Sequence, residues 1–566
     1  MKTKVHLEME SKKSWATKGI SNTSQFLKET VMYVMLCIII FIIIIYPLLN
    51  LLVKSFDISV FISLFRDRLT YISLFNTLII GIGVTFFSIL FGGSLAWLVV
   101  RTDFRHKKFV RLFALIGFMI PSYILSISWI EIFSKNGYLS RLLKFLLGYN
   151  YNFFPYSIIS VIFVLSIHLY PLAFMSISNA LEAYSMDYED AAFVCGADRR
   201  RIMRTITFPM IIPSILSIGI LIFSRSMANF GVPAALCLPI GKDVVTTKIF
   251  SYLSHLELVN ATVLSVILII ISACIYIINS KIISKRKYSS STNKKFRNPK
   301  LIKLGKRSKI VNFFALGFCI CVTGIPLISI IITSFLKRWG LKIQLKNLTI
   351  NNYITLFTNP YTNKSFINSM VYGIAGATAA VIIGCIVLYL FYINKNKLTS
   401  SFMVIVTWPI AFPNIVLAVA ATLSFINKPL KLYGTKWIII ITYIALFIPI
   451  AVKNMSGIIE NIDKSLIKAS RMSGASIFST LKNIIIPLIA PGMTSAWILC
   501  FLIALREIPI SLLLYSSGTE TLGVMLFTLQ SNSYGLEMTS TLAVVIIIMS
   551  LIGNLIIKKV RRRIKW

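Results

Sequence analysis

The sequence predicts an all-α polytopic membrane protein: two parallel six-helix repeats, about twelve transmembrane helices in all, related by a pseudo-twofold axis. Three observations carry that expectation. The 566 residues are 57% hydrophobic and only 14% charged, where a soluble domain carries about a quarter charged residues. The apolar residues fall in blocks of about 20, the helical length that crosses a bilayer. Glycine, proline and asparagine recur at matching places in the two halves, which bulk hydrophobicity does not produce.

A polar segment, 1–29, precedes the first block. It is too long and too polar to read as a cleaved signal, so the first span is expected to be a true anchor. Spans are expected near 30–53, 71–100, 109–133, 155–180, 206–227 and 259–283, which form a first repeat, 30–283. A basic linker, 284–309, has almost no apolar run and is expected to be a tether. The second repeat, 310–557, has spans near 310–335, 366–393, 401–425, 436–459, 484–505 and 539–557, and a basic tail, 558–566, follows.

The net charge of +39 does not point to nucleic acid. The Lys and Arg lie in short loops between spans and, without interleaved aromatic residues, match the side of a membrane that faces an anionic lipid surface. Roughly 40 of the 58 fall on one set of alternate loops, which assigns that side to the cytoplasm, with both termini there. Eight Cys and four scattered His form no metal spacing or disulfide framework. No metal site, cofactor site or catalytic constellation is expected, and the chain is not read as an enzyme.

The repeat is read from constant offsets. Asn76, Gly81, Gly92 and Pro121 map onto Asn368, Gly373, Gly384 and Pro413 at one offset. Pro171, Glu182, Gly196, Pro209 and Pro213 map onto Pro449, Glu460, Gly474, Pro487 and Pro491 at another. An even number of spans per half makes the copies parallel, with a pathway expected between them.

Two loops on the basic side are versions of one another. The first holds Glu189, Asp190, Ala191, Ala192 and Gly196, then Ile206 and Pro209. The second holds Lys468, Ala469, Ser470 and Gly474, then Ile484 and Pro487. Each reads as a short helix, 186–194 or 464–472, ended by a glycine able to adopt the left-handed turn. Asp187, Glu189 and Asp190 suit the N-terminal end of the first helix, and Asp463 is placed to cap the second. This pair of loops resembles the EAA motif of permease subunits in binding-protein-dependent ABC importers. The resemblance implies coupling helices that dock on two cytoplasmic ABC ATPase subunits, and an extracytoplasmic solute-binding protein that delivers cargo. It also implies a bacterial inner membrane. The first copy has Asp190 where the family often has Glu, and the second has no acid there, so unequal contacts with the two ATPases are expected. No G-x-x-x-x-G-K-[ST] stretch occurs, so ATP is expected to be used by the partner chains.

Candidates for the translocation path or gate follow from polar or helix-breaking residues near spans. Pro121 and Pro413 lie inside expected spans, as hinges or as tolerated kinks. Asn229, Phe230, Gly231 and Pro233 follow the fifth span, and Arg506, Glu507 and Pro509 follow the eleventh. They read either as interface anchors or as an outer gate in which Arg506 and Glu507 pair or meet polar cargo. Arg225 and Glu131 are further candidates of that kind. The 229–233 segment, 505–514 with 518–522, and 243–249 resemble ferric iron permeases of the fused, twelve-span form. That resemblance implies ferric iron as cargo, while thiamine, aminoethylphosphonate and polyamine permeases share much of the pattern. An ion-coupled secondary transporter is the rival class. It needs embedded acidic sites, and mid-span Asp and Glu are scarce.

Overall fold

In a computed structural model the chain is mostly helical over the described residues, which are 30–56, 58–149, 153, 155–183, 187–284, 301–393, 397–531 and 535–563. Two isolated bridges, Thr102 with Ile302 and Leu336 with Leu348, are the only β pairings among them. The expected N-terminal segment and most of the linker lie outside the described residues.

Among the described residues ten helices are long and apolar enough to span a bilayer: Thr30–Ser55, Arg68–Arg101, Ile158–Ala183, Arg200–Met227, Leu258–Ile282, Gly305–Phe335, Pro360–Phe391, Lys436–Ile459, Ile477–Leu505 and Leu536–Val560. Two bent pairs, Lys107–Met119 with Ser122–Leu147 and Thr399–Ala411 with Asn414–Phe425, bring the total to twelve when each is counted as one broken span. In chain order these are segments one to twelve, the bent pairs being the third and ninth.

The bent pairs correct the expectation of a straight third and ninth span. The helix turns by 101° at Pro121 and by 110° at Pro413. Neither proline is a hinge or a kink inside a helix. Each has extended ψ and stands at the N-cap of the helix that follows, where its missing N–H breaks no ladder. A different device handles the prolines at 47, 209, 326 and 487. In all four a π turn (Phe41–Ile45, Met203–Thr207, Ile320–Gly324 and Leu481–Ile485) ends two residues before the proline. Widening the turn lets the backbone re-pair one residue along and relieves the clash of the ring with the preceding carbonyl.

The second segment packs most extensively on the fourth, and the eighth on the tenth, as the repeat requires. The first segments break the simple picture of two separate bundles. The first packs against the ninth, and the seventh against the third. Leu36, Ile40 and Ile44 of the first segment belong to a hydrophobic cluster otherwise made by the second half, while Ala315, Cys319 and Ile330 of the seventh belong to one that joins the first half's core to residues of the ninth and twelfth segments. Tyr46 Oη donates to Ser424 O (3.3 Å) and Lys54 Nζ to Leu423 O (3.3 Å). In the reciprocal contact of the seventh segment with the third, the Tyr138 and Thr333 hydroxyls lie 2.7 Å apart; buried Glu131 of the third also accepts from Ser540 of the twelfth. Each half therefore lends its first segment to the other.

Close approach also differs between the halves. A Cβ on Gly92 would meet Tyr170 O at 2.5 Å and Phe174 N at 2.7 Å, whereas one on the matched Gly384 would meet the flexible end of Met455 at 3.1 Å. Gly92→Ala is therefore expected to cost about 1–3 kcal/mol through backbone displacement, and Gly384→Ala close to nothing. Thermal unfolding of the two purified variants beside the parent checks this. Equal melting temperatures for the two variants would contradict it.

Candidate functional site

The paired loops follow one backbone course. The first runs as a helix over Asp187–Val194 and the second over Lys464–Met472; position 186, included in the expected first helix, lies outside the described residues. Ala197 N donates to Ala192 O (3.0 Å), and Ala475 N to Ser470 O (3.1 Å). These are the six-residue closures that accompany a left-handed residue at a helix end. That residue is Gly196, with φ of 82°, and Gly474, with φ of 78°. Asp198 Oδ1 then accepts from Arg201 N (2.9 Å), and Ser476 Oγ from Ser479 N (3.1 Å), each starting the helix that leads through the π turn to Pro209 or Pro487. Ile206 and Ile484 fall within those π turns. Asp463 Oδ1 accepts from Ser465 N (2.9 Å), and this backbone hydrogen bond holds its carboxyl below the usual carboxylate range.

What ties each loop to the bundle is not alike. In the first, Glu189 pairs with Arg101 at 3.1 Å and accepts from Thr207 Oγ1 at 2.7 Å. Arg101 ends the second segment and is only 3% exposed. Glu189 thus anchors the loop instead of merely complementing the helix dipole. At the second constant offset Glu189 and Thr207 correspond to Ile467 and Ile485, both buried in one hydrophobic cluster. Conversely Ala192 and buried Ile202 correspond to Ser470 and Thr480, whose hydroxyls lie 2.9 Å apart. Polar and apolar contacts have exchanged places between the copies. The swap is visible in the sequence only once the two loops are set at their common offset.

The outward faces match again. Val194 is 86% exposed and its counterpart Met472 90%, and Tyr188 and its counterpart Leu466 are both exposed. Around them the charges differ: Asp187 and Asp190 in the first helix, Lys464 and Lys468 in the second. Ala191 and Ala469 sit exposed on their helices.

At the opposite ends of the segments the path candidates are mainly structural. Asn229 Oδ1 accepts from Val232 N (3.0 Å), and its Nδ2 donates to Ser122 Oγ (3.1 Å). It caps the short helix Gly231–Leu236, in which Pro233 is buried and which buried Phe230 precedes. Glu507 holds the same place in the second half. Its carboxylate accepts from Ile510 N (3.0 Å) and Ser511 N (3.1 Å) and from Asn414 Nδ2 (3.3 Å), capping Pro509–Leu514. Asn414 is the counterpart of Ser122. The expected Arg506–Glu507 pair is not formed among the described residues, because the cap occupies Glu507. Arg506 Nη1 points across the halves to Met119 O (3.4 Å).

The family of binding-protein-dependent transport system inner membrane components matches the chain twice, over residues 88–287 and 376–566. The chain belongs to that family, with both loops inside the matched regions. A ferric transport system permease protein of Actinobacillus pleuropneumoniae, FbpB, is 25% identical over 91% of this chain and 76% of its own length. An Fe(3+)-transport system permease protein of Haemophilus influenzae is 23% identical over 83% of this chain and 86% of its own. The spermidine/putrescine permease PotC of Haemophilus influenzae is 28% identical but matches 40% of this chain, with 87% of PotC covered.

Glu189→Ala is expected to lower stability by about 2–3 kcal/mol, because it leaves buried Arg101 without its carboxylate. Thr207→Val should cost only about 1 kcal/mol. Melting of the two purified variants tests the ordering; a smaller loss for Glu189→Ala than for Thr207→Val would contradict the anchor.

Proposed function

We propose that this chain is the membrane-spanning permease of an ATP-driven ABC importer of ferric iron in a bacterial inner membrane, with its termini and both paired loops in the cytoplasm. The observation that carries the reading is the repeated exposure of apolar side chains at matched loop positions, Tyr188 with Leu466 and Val194 with Met472. Exposed apolar groups on an otherwise charged surface favour a covering partner. Two loops with one shape favour two copies of one kind of partner, the cytoplasmic ATPase subunits. Acidic and basic surroundings would give the two contacts different electrostatics.

In this reading a binding protein delivers cargo at the face opposite the loops. ATP-driven closure of the two ATPases draws the loops together, and the bundle switches from inward- to outward-facing. The stiffness needed comes from the loop anchors: a helix tied by Glu189 to Arg101, or wedged by Ile467 into a core, moves with its segments. The turn glycines Gly196 and Gly474 set the angle between coupling helix and segment. Iron is favoured over polyamine because ferric permeases run alongside almost the whole fused chain, while the polyamine permease covers one half.

The test is radioactive iron uptake by proteoliposomes holding the full chain with its ATPase and binding protein. A bulky residue forced into the left-handed region costs about 1–2 kcal/mol, and nothing lies within 4 Å of a Cβ at Gly474. Gly474→Val should therefore insert and melt almost normally, yet lose most ATP-driven uptake. Normal uptake in this variant would refute the coupling role, and uptake without any ATPase would move the chain to the secondary-transporter class.

A further inference from the structure

Three basic side chains lie within electrostatic range of one another near the seam between the halves, at the end remote from the paired loops. Arg506 closes the eleventh segment and reaches Met119 O of the first half (3.4 Å). His168 of the fourth segment stacks on Phe118, the neighbour of Met119, with ring centroids 6.2 Å apart and planes 19° from parallel. Arg225 of the fifth segment is an electrostatic neighbour of both His168 and Arg506. Neither guanidinium forms an ion pair among the described residues, and the nearest carboxylate in sequence, Glu507, is spent on its helix cap.

The group is rich in donors and poor in acceptors. Arg225 has no hydrogen bond or ion pair among the described residues, and the bond from Arg506 is long. His168 Nδ1 is buried without a hydrogen-bond partner. An arginine that merely anchors a helix end extends towards lipid headgroups, but Arg506 reaches inward across the seam and Arg225 accompanies it. Two like charges are held together in a membrane protein, where such groups are costly unless paired or facing a polar pathway. What would compensate them is an anion offering several oxygens to the planar forks of the guanidiniums.

We propose that Arg225, Arg506 and His168 form an oxyanion-recognition site on the translocation path, so that cargo passes as an anion, either a free oxyanion or a metal ion still wrapped in anionic oxygen ligands. The inference rests on the importer reading above and narrows its cargo. A bare ferric ion or a polyamine would meet two positive charges, whereas a ferric carboxylate complex would meet complementary ones.

The test uses the full chain in nanodiscs, titrated with citrate, ferric citrate and putrescine, and the full importer in proteoliposomes for iron uptake. Citrate and ferric citrate should bind saturably and putrescine should not. Arg225→Gln should weaken oxyanion binding by about tenfold or more, with Arg225→Lys in between and thermal melting of each variant showing that the fold is kept. Binding unchanged in Arg225→Gln and Arg506→Gln overturns the site, as does a loss confined to co-purified anionic phospholipid. Wild-type iron uptake in Arg225→Gln likewise sinks the site but leaves the ferric reading standing. Arginine-dependent citrate binding in a system that moves no iron supports the site and removes iron as cargo.

Discussion

Inside a bilayer a helix can bend or stop only where the backbone groups it frees find partners, because no water waits there to take them. That constraint decides the shape of this bundle. Four prolines are absorbed by π turns that re-pair the ladder around them. Two others stand at sharp breaks, and the short helices opposite those breaks are capped by Asn229 and Glu507, which also hold Ser122 and Asn414 just beyond the prolines. Each break is thus locked to the short helix, Gly231–Leu236 or Pro509–Leu514, in its own half. A residue that looks like a charged gate in sequence is the piece that makes an interrupted backbone tolerable.

The loops show the same economy of means with a different outcome. Their backbones superimpose in logic: helix, left-handed glycine, capped second helix, π turn, proline. Their anchors do not, since an ion pair and hydroxyl contact in one copy is replaced by isoleucine packing in the other, and the reverse holds one turn further on. A duplicated element has kept its geometry while its cohesion was rebuilt from other interactions. The geometry matters to whatever docks there, and either chemistry holds it.

Much of this was legible in the sequence because glycine and proline act locally. Gly196, Gly474, Pro209 and Pro487 announce turns and helix entries wherever they stand, and the offsets between them reveal the repeat. Hydrophobic length found the segments. Two features stayed hidden for physical reasons. Pro121 and Pro413 signal a disturbance, but whether it becomes a kink or a turn of about 100° depends on a cap supplied by distant residues. Which bundle the first and seventh segments join is invisible as well, since a stripe of leucine and isoleucine fits lipid, its own half or the other half about equally. The inter-half bond of Glu131 to Ser540 was equally out of reach; in sequence its isolation in an apolar stretch makes it a gate candidate instead.

The exchange of first segments reaches beyond packing. Halves that each clasp a helix of the other can roll against one another, but cannot come apart without stripping a helix from a foreign core. Their travel is therefore bounded from within, and the seam can widen only as far as those two straps allow. A split version of the chain, made as separate halves, would present two bodies each missing a wall, and they would mature only as a pair.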